Sequence, residues 1–354
     1  MVDNISIEVE QSTQSRISTV DFSNLGFGRV FSDHMLVADY KDGEWLSCKI
    51  QPFQELSLSP ATAVLHYGQS IFEGLKAQYT IDGSIAIFRP WENHKRMIFS
   101  AERMCMPPVP EEFFIGGMKR LLEVDKAWIP KNEGTSLYIR PFLFATEPFL
   151  GVRPSNQYKF IIFTSPVGSY YSEPVNLKIE KHFSRVAQGG MGAAKTAGNY
   201  AASLYGAVQG QKQGFHQLLW TNTLTHEYLE EVGTMNIMFR RGNQIVTPAL
   251  GDSILRGITR DSVLTLAKDW GYEVEERKIK VTELVDGLED KSIEEVFGVG
   301  TAAVVSHINT IHHEGTTYTL PPIEQRVFAN KVLDTFTKLK YGQIEDKYNW
   351  LMKI

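Results

Sequence analysis

Gln188-Gly-Gly-Met-Gly-Ala-Ala-Lys195-Thr-Ala-Gly-Asn-Tyr200-Ala-Ala-Ser203 is the most unusual stretch of the chain: a single lysine set among small residues. Small side chains let backbone and ligand come close, so the segment is a candidate for chemistry. Three readings compete. The plainest is a flexible glycine loop with an exposed lysine. The second is a phosphate-binding loop, because Gly189, Ala194, Lys195 and Thr196 fall one residue short of G-x4-G-K-[ST]. The missing glycine lies where backbone wraps phosphate, and no later apolar strand ends in an aspartate suited to magnesium. The third is a lysine that forms a Schiff base, which needs an amine that is neutral part of the time in a dry site. The segment alone does not choose among them.

Outward from it, the pattern is of mixed strands and helices. A helix is expected over 197–213, with others over 258–270 and 323–341, and Gly214, Gly271 and Gly342 as their C-terminal stops. Strands are expected over 176–180, 217–220, 236–240, 244–247, 272–279 and 295–299. In the first half, Asp42-Gly43 and Asp82-Gly83 separate β-rich runs (35–40 from 45–50, 77–81 from 85–88) and suit the positive φ of tight hairpins. A helix follows Pro90 and stops before Pro107. Another starts at Pro110, with Glu111 and Glu112 opposing its dipole, and ends before Pro130. A strand covers 159–165, and 166–174 reads as a connector. The expected organisation is a small N-terminal domain at 1–166, a loop at 167–175 and a large C-terminal, cofactor-binding domain at 176–354, both α/β or α+β.

Bulk properties narrow the function. A net charge of -5 with no basic stripe gives no field that gathers nucleic acid or anionic lipid. Two cysteines, Cys48 and Cys105, cannot build a disulfide framework and lack metal-ligand spacing. The first ten residues carry acidic groups and no apolar run, unlike a secretory signal, and nothing approaches a membrane span of roughly 18 apolar residues. The expectation is a cytoplasmic protein without a metal. His312-His313 lacks a spaced carboxylate or cysteine, and His94 reads as a helix-surface residue. Tyr170 and Tyr171 either line a loop over a site or pack without function.

A pyridoxal cofactor would need a lysine for its aldehyde, an anion cradle for its phosphate, an acid partner for its ring nitrogen and a donor near its phenolic oxygen. Each has a candidate here. Glu231 opens a strand-like run and could keep the ring nitrogen protonated, although a lone Glu is ordinarily a solvated charge. Leu255-Arg-Gly-Ile-Thr-Arg-Asp261 lies at a helix start, where free N–H groups meet a dianion. Thr234 and Arg96 could add a hydroxyl and a cation, and Tyr200 could reach the phenolic oxygen.

These residues lie in segments that together resemble the branched-chain amino acid aminotransferases, pyridoxal-phosphate enzymes of fold type IV. The similar segments are Leu65-His-Tyr-Gly-Gln-Ser-Ile-Phe-Glu-Gly-Leu-Lys-Ala77, Phe88-Arg-Pro-Trp-Glu-Asn-His-Lys-Arg-Met97, Tyr138-Ile-Arg-Pro141, Thr146-Glu-Pro-Phe-Leu-Gly-Val152, the Lys195 stretch, Glu231-Val-Gly-Thr-Met-Asn236 and Gly300-Thr-Ala302. The resemblance implies the two-domain α/β (α+β) fold with mixed sheets and flanking helices. It implies that Lys195 holds pyridoxal 5'-phosphate as a Schiff base and shuttles a proton between the substrate Cα and C4′ of the cofactor. Glu231 would pair with the ring nitrogen and Tyr200 with the phenolic oxygen. Arg96, Thr234 and the amides of Ile258 and Thr259 would hold the phosphate, joined by Thr301, with Arg185 as electrostatic support. Thr301 and Ala302 would offer N–H groups to the substrate α-carboxylate. Phe27, Tyr67, Phe72, Tyr138, Leu150 and Val152 would form the apolar pocket, Leu150 and Val152 coming from the partner of a homodimer. Arg140 would accept the second carboxylate of 2-oxoglutarate or glutamate. Leucine, isoleucine and valine are not ranked by this reading, since one methyl placement is worth about 1–3 kcal/mol. A D-amino acid aminotransferase or an aminodeoxychorismate lyase of the same fold is the alternative. Ala303 and Ser306 stand where some relatives carry a redox-sensitive Cys-x-x-Cys.

Overall fold

The computed structural model describes residues 7–168 and 173–354. The described chain condenses into two compact units. The first holds 7–168 together with Ala194–Gly198 and Lys338–Ile354; the second holds 173–193 and Asn199–Thr337. A single cut near 167–175 would have given both returning pieces to the second domain. They go to the first because each adds backbone pairing there: Thr196 bridges Ile71, and strand Leu351–Lys353 pairs with Ile85–Phe88.

The first unit is built on a nine-stranded sheet. Its central strands, His34–Lys41, Gln157–Val167 and Ser136–Ala145, are antiparallel neighbours. One face, carrying Leu36, Ala38, Ile50, Ala77, Ile87, Leu137, Ile139 and Ile162, shares a core with Met97 and Ala101 of helix Pro90–Arg103 and with Met118 and Leu121 of helix Gly117–Val124. Because side chains alternate along a strand, Tyr138 and Arg140 point to the opposite face. Ser136–Ala145 was not legible as a strand, since Pro141 interrupts it and proline cannot donate to a ladder. Pro141 is tolerated at the junction between two partners: Ser70–Phe72 pairs with 142–144, Leu75–Tyr79 pairs with 137–139, and the Pro141 carbonyl accepts the Glu73 N–H at 2.8 Å.

The two hairpin dipeptides behave differently. Asp42 (φ 52°) and Gly43 (φ 98°) both take positive φ, as a two-residue turn requires. At Asp82-Gly83 only Gly83 does, because the Asp82 carboxylate accepts from the Ser84 N–H (3.1 Å) and Oγ (2.6 Å) and shapes a longer turn. The helix expected from Pro110 is a π turn, Glu112–Gly116, followed by Gly117–Val124 and a 3-10 turn, Lys126–Trp128. His94 is not on the surface. It is buried, with Nε2 at 2.8 Å from the Val109 carbonyl.

In the second unit, Val175–Ile179 pairs with Gln217–Thr221, which pairs with Leu229–Val232. From there the pairings run through Met235–Arg241, Glu295–Gly300 and Val304–His313 back to Val175–Ile179. These pairings close into a ring, which leaves no free edge among its members. Leu177, Leu219, Ile237, Val296, Ile308 and Ile311 share its apolar core. The last long helix starts later than its apolar pattern implied: a 3-10 turn, Ile323–Gln325, precedes helix Val327–Lys340. Glu295 supplies its N-terminal cap. This fully buried carboxylate accepts the N–H groups of Phe328 (2.9 Å) and Ala329 (2.8 Å) and an Arg240 Nε–H (2.5 Å). Removing one partner of a buried ion pair costs about 3–5 kcal/mol. Glu295→Ala is therefore expected to destabilise the protein by about that much in urea unfolding. A loss below about 1 kcal/mol would show that the cap does not hold this helix.

Candidate functional site

In the first unit, Lys195 is fixed through its backbone. Its N–H donates to Ser100 Oγ (2.9 Å), its carbonyl accepts the Phe72 N–H (3.0 Å), and the next residue, Thr196, donates its hydroxyl to the Ser70 carbonyl (2.8 Å). With the main chain held on both sides, the side-chain torsions alone decide where the amine goes. Lys195 Nζ lies 4.9 Å from the centroid of the Phe72 ring, and the Arg140 guanidinium lies 4.7 Å from the same centroid. Arg140 Nη2 donates to the Tyr138 hydroxyl (2.9 Å), and Tyr138 meets Phe27 edge-on at 5.0 Å. Arg140 Nε is buried without a hydrogen-bond partner among the described residues. Gly74 makes this arrangement possible, since a Cβ there would stand 2.1 Å from the Tyr138 hydroxyl. Phe27, Phe72, Tyr138, Arg140 and Lys195 are thus brought together.

Arg96 reaches this region from helix Pro90–Arg103. Its Nε and Nη2 grip the two oxygens of Glu73 at 2.8 and 2.7 Å, and Asn93 Nδ2 adds a third donor at 2.8 Å. Glu73 is fully buried and sits beside Phe72. Glu73 lies within the Leu65–Ala77 segment but carries no role expected from the sequence. An available signal was a Glu in an otherwise apolar run, which when buried demands a cation.

In the second unit, Leu229–Val232 and Met235–Arg241 form a tight hairpin over Gly233 (φ 55°) and Thr234, with Glu231 opposite Asn236. Glu231 is 3% exposed. Its Oε1 accepts the Leu255 N–H at 2.7 Å, and its Oε2 lies 3.4 Å from Arg185 Nε. Arg185 donates through Nη2 to the Ser253 carbonyl, and Ala193 N–H donates to the Asp252 carbonyl at 2.8 Å. The 252–255 loop is thereby tied to the start of the lysine segment. Helix Ile258–Asp269 begins just beyond, after Gly257, with no side-chain cap on its first amides. A Cβ on Gly257 would fall 1.9 Å from Asn236 Oδ1, so this approach needs glycine. Ile258 and Thr259 are buried there and Thr234 is exposed. Tyr200 is half-buried on helix Ala197–Lys212, and Thr301 and Ala302 occupy the turn between Glu295–Gly300 and Val304–His313.

The groups present suit a phosphorylated pyridinium aldehyde. The amine, the buried carboxylate for a ring nitrogen and a glycine-lined helix start with uncapped amides for a dianion all exist. Three pocket candidates lie differently: Tyr67, Leu150 and Val152 are 44%, 66% and 91% exposed. His312 and His313 stand on a β-hairpin, where His312 Nδ1 lies 2.9 Å from Thr317 Oγ1. Tyr170 and Tyr171 lie outside the described residues.

Comparison with known proteins supplies the class. The family described as amino-transferase class IV matches residues 70–311. The branched-chain-amino-acid aminotransferase 2 of Bacillus subtilis is 46% identical over 346 residues, covering 97% of this chain and 95% of its own. The probable branched-chain-amino-acid aminotransferase of Staphylococcus epidermidis is 44% identical, covering 100% and 99%. Among solved structures, the branched-chain aminotransferase of Thermoproteus uzoniensis with norvaline superposes with a TM-score of 0.74 at 26% identity, covering 90% of this chain and 99% of that one. The T.th. branched-chain amino acid aminotransferase complexed with N-(5'-phosphopyridoxyl)-L-glutamate gives 0.70 at 27%, covering 89% and 97%. Matched almost end to end, the chain belongs to the class IV aminotransferases and, within them, to the branched-chain amino acid aminotransferases.

Proposed function

We propose that the chain moves the amino group of L-leucine, L-isoleucine or L-valine to 2-oxoglutarate, with pyridoxal 5'-phosphate carried on Lys195. The observation that carries the assignment to Lys195 is its fixed backbone between Ser100 and Phe72, with the amine 4.9 Å from the Phe72 ring centroid and Arg140 at the same ring. When bound, the protonated cofactor ring supplies the electron sink that makes the substrate Cα–H acidic. Lys195 would hold the cofactor aldehyde and, once its amine is released by the substrate, carry a proton between the substrate Cα and C4′ of the cofactor. Glu231, anchored by the Leu255 amide and backed by Arg185, keeps the ring nitrogen protonated. Tyr200 serves the phenolic oxygen. Arg96, held in place by Glu73, joins Thr234, Thr301 and the Ile258 and Thr259 amides at the phosphate.

One pocket then serves two kinds of substrate. Phe27, Phe72, Tyr67 and Tyr138 offer apolar surface, Thr301 and Ala302 receive the α-carboxylate, and Arg140 receives the second carboxylate of 2-oxoglutarate. The T.th. relative has been solved with both a phosphopyridoxyl-glutamate adduct and 4-methylvaleric acid, an acidic and a branched apolar occupant. Both substrates use the same lysine, so ping-pong kinetics follow. The exposure of Leu150 and Val152 supports a homodimer in which each subunit lends these side chains to its partner's pocket. Among the described residues no helix is long and apolar enough to cross a membrane. We place the enzyme in the cytoplasm.

Borohydride reduction followed by peptide mapping is expected to find the pyridoxyl group on Lys195, and L-leucine alone is expected to convert the yellow enzyme to the pyridoxamine form. A label elsewhere, or conversion by D-alanine and not by L-leucine, would overturn the reading. Hydrogen bonds to charged groups contribute about 1.5–3 kcal/mol. Arg140→Gln should accordingly lower kcat/KM for 2-oxoglutarate by about tenfold to a hundredfold, with the L-leucine half-reaction changed by less than about threefold; equal losses for both substrates would remove Arg140 from carboxylate recognition. Val152→Asp should shift the sedimentation of the protein toward monomer and raise KM for leucine. An unchanged dimer with unchanged KM would place Val152 outside the interface and the pocket.

A further inference from the structure

One cross-strand row of the first sheet carries a buried hydroxyl that the mechanism above does not use. Tyr138 lies directly opposite Ser165 of strand Gln157–Val167 and, on its other side, opposite Lys76 of strand Leu75–Tyr79. Directly opposed residues share a face, so Lys76 and Ser165 stand on the same side of the sheet as Tyr138 and Arg140. Ser165 is 2% exposed, and its Oγ has no hydrogen-bond partner among the described residues. Arg140, its diagonal neighbour in this register, has the same deficit at Nε. A buried donor left unmade is costly, and here one strand pair presents two of them side by side. The neighbouring side chains offer no acceptor for either. Phe163 stands directly opposite Arg140, Phe27 meets Tyr138 edge-on, and the Phe72 ring lies under the guanidinium. Glu73 is already gripped by Arg96 and Asn93. With Lys76 and Arg140 both beside Tyr138, this end of the face is rich in donors and positive charge.

We infer that Ser165 is a specificity-determining residue whose hydroxyl donates to the distal carboxylate of the acidic substrate, the group that Arg140 also receives. A carboxylate accepts at both oxygens, through about four lone-pair sites, so one guanidinium does not exhaust it. Arg140 Nη2 is spent on the Tyr138 hydroxyl, which leaves Nε and the Ser165 hydroxyl as the buried donors to spare. The choice of a hydroxyl suits a pocket with two kinds of occupant. A small neutral group costs far less beside the methyl groups of leucine than another buried cation would. It strengthens only when an anion arrives, and so favours the acidic substrate without turning the apolar one away. The inference rests on Arg140 as the receiver of that carboxylate, and the test keeps the two apart.

Single-turnover reactions of the pyridoxamine form of the full-length holoenzyme isolate the distal carboxylate. 2-Oxoglutarate and 4-methyl-2-oxopentanoate share their oxo-acid end and differ only beyond it. Ser165→Ala is expected to lower the apparent second-order rate constant for 2-oxoglutarate by about tenfold, the loss of one hydrogen bond to a charged group. The constant for 4-methyl-2-oxopentanoate should fall by less than about threefold. Inhibition by glutarate, which carries two carboxylates and does not react, should weaken by a similar tenfold factor, while inhibition by 4-methylvaleric acid holds. Parallel losses for both oxo acids would make Ser165 a packing residue and overturn the inference. An unchanged preference in Ser165→Ala beside a lost one in Arg140→Gln would overturn the role of Ser165 and leave that of Arg140 standing. An unchanged preference in both variants would overturn the carboxylate subsite itself. Ser165→Cys, close in size and a much weaker donor, is expected to show the same split and answers the question if the alanine variant does not fold.

Discussion

Everything chemical in this protein depends on where one short piece of backbone is pinned. Ala194–Gly198 leaves the second unit and joins the first, where Lys195 is held by Ser100 and Phe72 and Thr196 by Ser70. A lysine side chain carries roughly 2 kcal/mol of rotamer entropy. Fixing its main chain removes the largest uncertainty in where its amine can be, and leaves the remaining choice to the side-chain torsions. That combination suits a group that must both hold a partner and move a proton. Small residues lead into the pinned segment: Gly192 passes so near Ser253 that a Cβ would fall 2.5 Å from its Cα, and Ala193 and Ala194 are buried.

Three buried arginine–glutamate contacts recur among the described residues: Arg96 with Glu73, Arg185 with Glu231, and Arg240 with Glu295. Buried ion pairs add little net stability, since desolvation offsets attraction. Their use here is geometric. The first orients a cation, the second an anion, and the third starts a helix. The first is bidentate, which suits a fixed guanidinium plane. The second is the loosest, at 3.4 Å.

Local signals made much of the fold legible. Gly214, Gly271 and Gly342 end their helices with φ of 88°, 82° and 68°, and Asp42-Gly43 makes its hairpin. What stayed hidden was non-local. Pro141 disguised a central strand because the break between its two partners lies far away in sequence. The closed ring of strands depends on pairings such as Val175–Ile179 with Val304–His313, which no window of sequence displays. At the site, Lys195, Phe72, Tyr138 and Arg140 were named in advance because segment resemblance marks them, and they do cluster. Glu73 was missed as a partner because a lone glutamate in a sequence is ordinarily a surface charge, and only burial reveals otherwise.

The strand Leu351–Lys353 has a consequence for biogenesis. It completes the sheet of the first unit by covering Ile85–Phe88, yet the whole second unit is translated between the two. At about 5–20 residues per second, the nascent chain exposes the edge of Ile85–Phe88 for many seconds while the ribosome works through that interval. An apolar edge left open that long invites pairing with a neighbouring nascent chain, a hazard that ends only when Leu351–Lys353 takes its place on Ile85–Phe88.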